Sequence, residues 1–419
     1  MTRILRIPVT RFLEWTKGGF AMLKMILKDL RISPLRSVLT SISMLVGIIA
    51  MIASFLVGTL GSGYLVAVNA QIYGWAPTYS FSVAGSCFED SSKLEDLFLS
   101  LERVEDHTAI TFSMREDVRF APVTSISSLQ NLDMAVYKEL FPVDVVFTTS
   151  PYNQIYNLPM SSGEWLNGSG SNYSLEIVIN KAAKSYFNAP YAVGNVGSSL
   201  ALTPFHIIGI VNDGRDVATV YIDAYSVAQY VPTMWQVQNA TIYWNSTHGL
   251  TTEQIYSALS DCIADTVGGE LEYSGRSDVG NTYDSVLSML QIGLLVTSFL
   301  LLFVSILGQI NIGLSSLEQR THELLIRRAI GASRSNIVLL VLGSQLILSA
   351  FVCVASILIS ILLVQGIGMY LPADSPVPSP DYPILVAIIS VVASVATALL
   401  GGLLPALKAA KLEPALALR

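Results

Sequence analysis

Charged side chains are scarce in this sequence. Only 13% of its 419 residues are Asp, Glu, Lys or Arg, whereas 52% are hydrophobic. An ordinary soluble domain has about 25% charged residues. This shortage argues against one large soluble core and predicts that much of the chain crosses a membrane.

Four long stretches contain no charged residue at all. They occupy residues 37–68, 285–317, 335–373 and 382–407. A helix needs about 20 apolar residues to cross the hydrocarbon core of a bilayer, so each stretch predicts a transmembrane helix. The first two correspond to roughly 45 Å of helix at about 1.5 Å per residue. We therefore expect part of each to project from the membrane as a stalk.

Signatures of catalysis are also missing. The sequence has no G-x-x-x-x-G-K-[ST] phosphate-binding loop, so these residues cannot hydrolyse ATP by that route. The segment "HELLI" at His322 has Ile326 where a zinc protease has its second histidine, and the other histidines form no ligand-spaced pair. No charged residue lies within the predicted spans to carry ions or protons. We expect neither enzyme activity nor a metal or cofactor in these residues.

Basic residues are concentrated in three segments. Fifteen of the 24 lysines and arginines precede the first span, lie between the second and third, or follow the fourth, and only five acidic residues accompany them. Because positive residues stay in the cytoplasm, both termini and the segment between spans two and three are predicted to be cytoplasmic. Residues of about 70–284 then form an acidic ectodomain. The net charge of −7 averages these two faces and does not indicate nucleic-acid binding.

These patterns divide the chain into nine segments. Residues 12–30 have an amphipathic pattern that predicts a helix on the cytoplasmic leaflet. The predicted order is an N-terminal segment 1–36, span one with its stalk 37–69, the ectodomain 70–284, span two 285–313, a basic loop 314–336, span three 337–370, a short external loop 371–381, span four 382–407 and a tail 408–419.

The ectodomain is predicted to mix α and β structure. Residues 91–104 and 251–269 have helical spacing, with Ser91 or Ser92 and Thr251 as N-caps and Gly268 at the second helix's end. Five segments read as strands: 143–149, 175–181, 205–211, 218–223 and 239–245. Their distribution predicts a β-rich module of about 138–234, inserted into a mixed module built from residues 70–137 and 235–284.

Small residues recur in the first and fourth spans. They are Gly47, Gly58, Gly61 and Gly63 in span one, and Ser394, Ala398, Gly401 and Gly402 in span four. Such residues let helices approach closely, either between two protomers or within one chain. Membrane helices also tolerate glycine in general, so both interpretations stay open at this point.

Three stretches of the sequence contain recognisable motifs: "LGQINIGLSSLEQRTHELLIRRAIGASR", "NLPMSSGEWLN" and the closing "PALKAAKLEPALALR". They resemble motifs of the MacB/FtsX superfamily, or type VII, of ABC-transporter permeases. The first stretch is similar to the family's loop after the second span, although Gln319, His322 and Leu325 depart from the pattern. The closing stretch has Leu416 in place of the usual acid. The similarity extends over nearly the whole chain.

This resemblance implies an α-helical membrane protein with four spans and a mixed α/β extracytoplasmic domain, a MacB-like periplasmic core with a porter-like module. It implies a permease in a prokaryotic plasma membrane, driven by a separate ABC ATPase subunit that binds ATP and Mg²⁺. A second permease copy and an extracytoplasmic adaptor are further expected partners, besides membrane lipids. An FtsX-like regulator of an extracellular enzyme, or a receptor or adhesion protein without an ATPase, are the alternatives.

The resemblance also assigns a role to the basic loop. It implies a short cytoplasmic helix that contacts the ATPase. His322, Leu325 and Ala329 would share one side of this helix. Gly331 would end it in a left-handed conformation. The residues implied in coupling are Arg320, His322, Glu323, Arg327, Arg328 and Gly331.

The ectodomain carries two further kinds of candidate site. Cys87 and Cys262 lie in the two flanks of the inserted module. Both are predicted to be outside the cytoplasm, where a disulfide can persist, and a bond between them would join these flanks. The alternative is two unpaired buried cysteines. Four glycosylation sequons begin at Asn167, Asn172, Asn239 and Asn245, and in most bacteria they would remain unmodified.

Overall fold

A computed structural model describes residues 34–103, 106–121, 141–167, 174–187, 192–197, 203–278, 284–319, 321–331 and 333–411. The amphipathic helix predicted over residues 12–30 lies outside these ranges. The chain divides into a membrane unit, Met1–Ser62, Ser285–Tyr370 and Ser379–Arg419, and an ectodomain, Gly63–Asp284 and Leu371–Pro378.

Four helices within the described residues are long and apolar enough to cross a membrane, as the uncharged stretches predicted. Their mean hydropathy lies between 2.3 and 2.9 over the most apolar 18 residues, because no charge interrupts them. They are α1 (Pro34–Tyr73), α6 (Asp284–Gln319), α8 (Arg334–Tyr370) and α9 (Ile384–Ala410). Helix α1 is longer than the predicted span, and its last residues belong to the ectodomain.

Several of the small residues bring helices of the membrane unit together. A Cβ added at Gly47 would lie 2.9 Å from the Leu302 side chain, and one at Gly58 would lie 2.5 Å from that of Gln291. A Cβ added at Gly401 would lie only 2.6 Å from Oε1 of Gln309. Gly47, Gly58 and Gly401 therefore pack helices within one chain, while a Cβ at Gly61 or Gly63 would meet nothing within 4 Å.

The ectodomain strands join in one sheet of the order β12-β1-β11-β2-β5-β10-β7-β9-β8-β3-β4, with β6 paired to β9. The strands are β1 (Thr78–Ala84), β2 (His107–Met114), β3 (Arg119–Ala121), β4 (Phe141–Pro142), β5 (Asp144–Thr148), β6 (Met160–Gly163), β7 (Leu175–Asn180), β8 (Val193–Gly197), β9 (Thr203–Val211), β10 (Thr219–Asp223), β11 (Val237–Asn245) and β12 (Leu271–Arg276). The five predicted strands correspond to β5, β7, β9, β10 and β11.

The sheet consists of two halves that meet at the β2–β5 pair. Strands β12, β1, β11 and β2 form the flanking half, and the strands from β3 to β10 form the inserted half. The predicted boundary at residue 138 is too late, because β3 pairs with β8 and β4 at the far end of the inserted half. Its three residues were too few to carry a recognisable strand pattern.

The two halves separate just beyond this junction. β2 and β5 pair only at Thr111 with Thr148 and at Phe112 with Phe147. A cleft of about 680 Å³ opens next to these pairs, lined by residues from both strands, including Met114 and Asp144. The junction is therefore narrow, since β2 forms eight residue pairs with β11 and β5 forms five with β10, but only two join β2 to β5.

Alternation along the strands gives the sheet a different core on each face, since successive side chains point to opposite faces. Ile110, Ile177 and Ile222 belong to the larger core. Their neighbours Ala109, Val178 and Tyr221 belong to a second core rich in tyrosine. Both faces of the sheet are thus covered.

The other α-helices in the described part of the ectodomain are α2 (Ser92–Glu102), α3 (Tyr152–Ile155), α4 (Ala224–Tyr230) and α5 (Thr252–Thr266). Thr251 and Gln254 form a capping box at the start of α5, and Gly268 has a φ of +75°. Both features agree with the sequence pattern. At α2 the N-cap residue is Ser91, one of the two predicted candidates, but its side chain makes no capping hydrogen bond. Asp90 Oδ1 instead accepts hydrogen bonds from the backbone and side chain of Ser92.

Candidate functional site

The candidate coupling element is a short helix, α7 (Thr321–Ala329), between membrane helices α6 and α8. Thr321 Oγ1 donates to the carbonyl of Leu317 at 2.8 Å, across the junction with α6. After α7 the chain turns at Gly331, whose φ is +109°, as predicted for a residue that ends a helix. Ser333 Oγ then accepts from the Asn336 amide and caps α8. Local sequence thus fixes both ends of α7.

One side of α7 is fixed against the membrane helices. Leu324 and Leu325 are buried, at 7% and 4% exposure. Leu324 packs in a small apolar cluster with Leu317 of α6, Ile337 and Leu340 of α8 and Ala409 of α9. α7 therefore rests on three membrane helices and can follow their movement.

The opposite side of α7 is exposed and partly apolar. We call His322, Ile326, Ala329 and Ile330 the exposed face of α7. Ile330 is 82% exposed and Ile326 44% exposed, and their spacing by four places them on one side of the helix. Exposed branched aliphatic side chains at this spacing are typical of a helix that inserts into a groove of a partner.

The arginines of α7 bind within the chain. Arg327 Nη2 lies 2.5 Å from Glu323 Oε1, as an i, i+4 ion pair on the same helix. Arg328 Nη1 donates to the carbonyl of Ala410 at the end of α9, at 3.3 Å. The bond from Arg328 connects α7 to the end of α9, whereas the Arg327–Glu323 pair lies within α7. Arg320, another predicted coupling residue, lies outside the described residues.

The structure corrects the predicted grouping of residues on this helix. His322 and Ala329 are exposed, but Leu325, predicted on the same side, is buried, and Ile326 lies on the exposed face instead. The sequence pattern alone could place either Leu325 or Ile326 on the side of His322, because residues three and four positions apart share one side of a helix. Only the packing of Leu324 and Leu325 against the membrane unit separates the two. Ile330 was missed, although its position just before Gly331 marks it as part of the last turn.

Cys87 and Cys262 are free thiols in the structure. Both are half-buried and pack against the larger core of the ectodomain. Burial and the nearby charge of Asp265 raise the pKa of the Cys262 thiol. Neither thiol is fully buried, whereas the alternative of unpaired buried cysteines expected both to be. A disulfide between them remains an expectation from sequence.

The sequons differ in their suitability for glycosylation. Asn245 is 6% exposed, and its Nδ2 donates to the carbonyls of Trp75 and Pro77 and to Thr78 Oγ1. A sugar on that nitrogen would break these contacts. Asn239 is half-buried and accepts from Ser82 Oγ, Asn167 is exposed, and Asn172 lies outside the described residues. Glycosylation at Asn167 and Asn239 remains an expectation from sequence.

The described architecture is that of a multi-pass membrane permease, with four apolar helices and an α/β extracytoplasmic domain between the first two. Residues 37–261 match the MacB-like periplasmic core domain, and residues 295–414 match the FtsX-like permease C-terminal domain. The chain belongs to the MacB/FtsX family of ABC-transporter permeases.

Curated relatives include the macrolide export ATP-binding/permease protein MacB of Shigella boydii and of Escherichia coli. Each is 22% identical over 423 residues, which cover 97% of this chain and 61% of the relative. The chain thus spans about three fifths of the length of these relatives. Among solved structures, the periplasmic region of MacB from Actinobacillus actinomycetemcomitans aligns with a TM-score of 0.34 and 15% identity, covering 53% of this chain and 94% of that region.

Proposed function

We propose that this chain couples ATP hydrolysis, by an ABC ATPase lying outside these 419 residues, to movement of its ectodomain. ATP and Mg²⁺ would bind to that ATPase. A second copy of the permease would complete the assembly, since two ATP sites act together in such machines. The names of the curated relatives describe macrolide export, and this supports export as the class of activity.

The exposed face of α7 is the observation that carries this proposal. Ile326 and Ile330 expose apolar surface beside the polar side chains of His322 and Glu323. Apolar anchors with a polar rim are what a specific protein interface requires. Because Leu324 packs on α6, α8 and α9 residues, a force applied to α7 would reach all three membrane helices.

The proposed orientation has α7 and both chain termini in the cytoplasm. The support is the concentration of basic residues in these segments and of acidic residues in the ectodomain. This orientation places α7 on the side where ATP is available.

Cysteine labelling tests the orientation. In a background with the three natural cysteines replaced by serine, Val193→Cys on the ectodomain should react with a membrane-impermeant maleimide on intact spheroplasts. Ile330→Cys should react only after lysis. Both positions are exposed, at 61% and 82%, so access through the membrane is the only difference. Labelling of Ile330→Cys on intact spheroplasts would contradict the orientation.

Purification from the native membrane tests the function. We expect an ABC ATPase to co-purify with the tagged chain in mild detergent, and ATP to change the amide hydrogen exchange of the ectodomain in the reconstituted complex. Recovery of the chain without any ATPase would favour the receptor or adhesion alternative. Co-purification of an extracellular hydrolase with the ectodomain would favour an FtsX-like regulator.

A further inference from the structure

The loop between α8 and α9 is part of the ectodomain. Residues Leu371–Pro378 join the same compact unit as Gly63–Asp284, although they connect two membrane helices. The ectodomain is therefore linked covalently to the membrane unit at both ends of this loop, in addition to α1 and α6. We call Leu371–Pro378 the α8–α9 loop.

Asp374 fixes this loop to the inserted half of the sheet. The residue is 8% exposed. Its carboxylate accepts from Ser161 Oγ of β6 and lies 2.6 Å from Lys181 Nζ, just after β7. Burial alone would raise the pKa of this carboxyl. The hydrogen bonds from Lys181 and Ser161 lower it by more, so the pKa lies below its usual value. The side chain is thus held as a carboxylate.

Two asparagines of the inserted half bind the α8–α9 loop and helix α1 at the same time. Asn157 Nδ2 lies 2.9 Å from the carbonyl of Ala67 in α1 and 2.9 Å from that of Pro376 in the loop. Asn212 Nδ2 donates to the backbone carbonyl of Asp374 at 2.8 Å. The backbone carbonyl of Asn212 accepts from Gln71 Nε2 of α1, also at 2.8 Å. Each asparagine therefore contacts both segments.

Backbone hydrogen bonds also hold these asparagines in place. The Asn157 amide donates to the carbonyl of Ala70, and the Asn212 amide donates to that of Pro159. Asn157 opens the stretch "NLPMSSGEWLN", and Asn212 directly follows β9. Gln71 is 3% exposed, so loss of its bond would leave a buried amide without that partner. The contacts form one connected polar network.

We propose that Asn157, Asn212 and Asp374 form a junction that makes the end of α1 and the α8–α9 loop move the ectodomain as one body. This rests on the proposed function, since it assigns the α8–α9 hairpin as a second path for the force generated by the ATPase. In this arrangement α1 cannot shift along the inserted half without also displacing the loop. The asparagines are positioning residues and take no part in chemistry.

Hydrogen exchange of the full chain in lipid nanodiscs tests the junction without any ATPase. Asp374→Lys should raise exchange tenfold or more in residues 371–378, and also in residues 67–73 of α1, because both segments share the asparagines. The charge swap Asp374→Lys with Lys181→Asp should return both segments to within threefold of the wild type. Lys184→Asp, at an exposed lysine three residues from Lys181, is the matched control and should change neither segment.

Asn157→Leu provides a second, milder variant. It removes both side-chain donors but keeps the side-chain volume and the backbone bond to Ala70. Amide hydrogen exchange should again rise in residues 371–378 and in residues 67–73. A rise confined to residues 371–378 in both Asp374→Lys and Asn157→Leu, or no rise in either, would overturn the junction.

The reconstituted complex separates this inference from the proposed function. If the junction transmits force, Asp374→Lys should abolish the ATP-dependent change in ectodomain exchange, while ATPase binding and basal hydrolysis stay unchanged. The charge swap should restore the response. A wild-type complex with no ATP response would contradict the proposed function. A normal response in Asp374→Lys would contradict the junction alone.

Discussion

Replacing Ile326 and Ile330 together by glutamate should abolish co-purification of the chain with its ATPase. Both side chains are exposed on one face of α7, and glutamate preserves helix propensity, so the helix itself should persist. The loss of a central apolar anchor typically costs about 2–4 kcal/mol, or roughly 30- to 1000-fold in affinity. Pull-down from the native membrane and titration of purified ATPase onto the reconstituted chain measure the effect.

Two variants serve as controls for this prediction. Leu99→Glu makes the same kind of change at an exposed position of α2 in the ectodomain, at 48% exposure, and should leave ATPase binding intact. Arg327→Gln should weaken binding by a smaller factor than the double glutamate variant, because Arg327 pairs with Glu323 of its own helix. ATPase binding that survives the double substitution, or that depends on Arg327 alone, would show that charge rather than apolar contact carries the interface.

Gly163→Ala should destabilise the ectodomain strongly. Gly163 ends β6 with a φ of +74°, and a Cβ there would lie 2.1 Å from the carbonyl oxygen of Ile208 in β9. The left-handed conformation costs a residue with a Cβ about 1–2 kcal/mol, and relief of the clash by a backbone shift adds about 1–3 kcal/mol. A total of about 2–5 kcal/mol would weaken the pairing of β6 with β9 and move Ser161 and Asn157.

Gly249→Ala is the matched control, because Gly249 has a similar φ of +69° but no atom within 4 Å of an added Cβ. It should show the conformational cost alone, about 1–2 kcal/mol. Thermal unfolding followed by tryptophan fluorescence measures both variants, since Trp75, Trp165, Trp235 and Trp244 all lie in the ectodomain. Equal losses of stability in Gly163→Ala and Gly249→Ala would mean that β9 shifts to accommodate the added methyl group.

Local signals in the sequence determined much of the fold. Uninterrupted apolar stretches predicted the four membrane helices, because a helix that crosses a bilayer needs mainly sufficient length and no charged residues. Alternation of apolar residues predicted β5, β7, β9, β10 and β11. The Thr251 cap and the positive φ of Gly268 and Gly331 also followed from nearby residues, since capping involves groups only a few positions apart.

The modules and the exposed face of α7 were predicted less accurately. β3 is too short to show alternation, so its place at the far end of the inserted half depends on pairing with β8 and β4. In α7 the pattern could not choose between Leu325 and Ile326. That choice depends on the cluster formed by Leu317, Ile337 and Ala409, residues that meet only when the membrane helices pack.

The sequence by itself determined the class of this protein: a four-span membrane chain with an α/β ectodomain and a short basic segment between spans two and three. Only the tertiary structure brought together Asn157, Asn212 and Asp374. Asn157 and Pro376 are separated by 219 positions, and Ser161 and Asp374 by 213. No periodicity or motif records such pairs, because a hydrogen bond between distant segments depends on how both are packed and not on their neighbours in sequence.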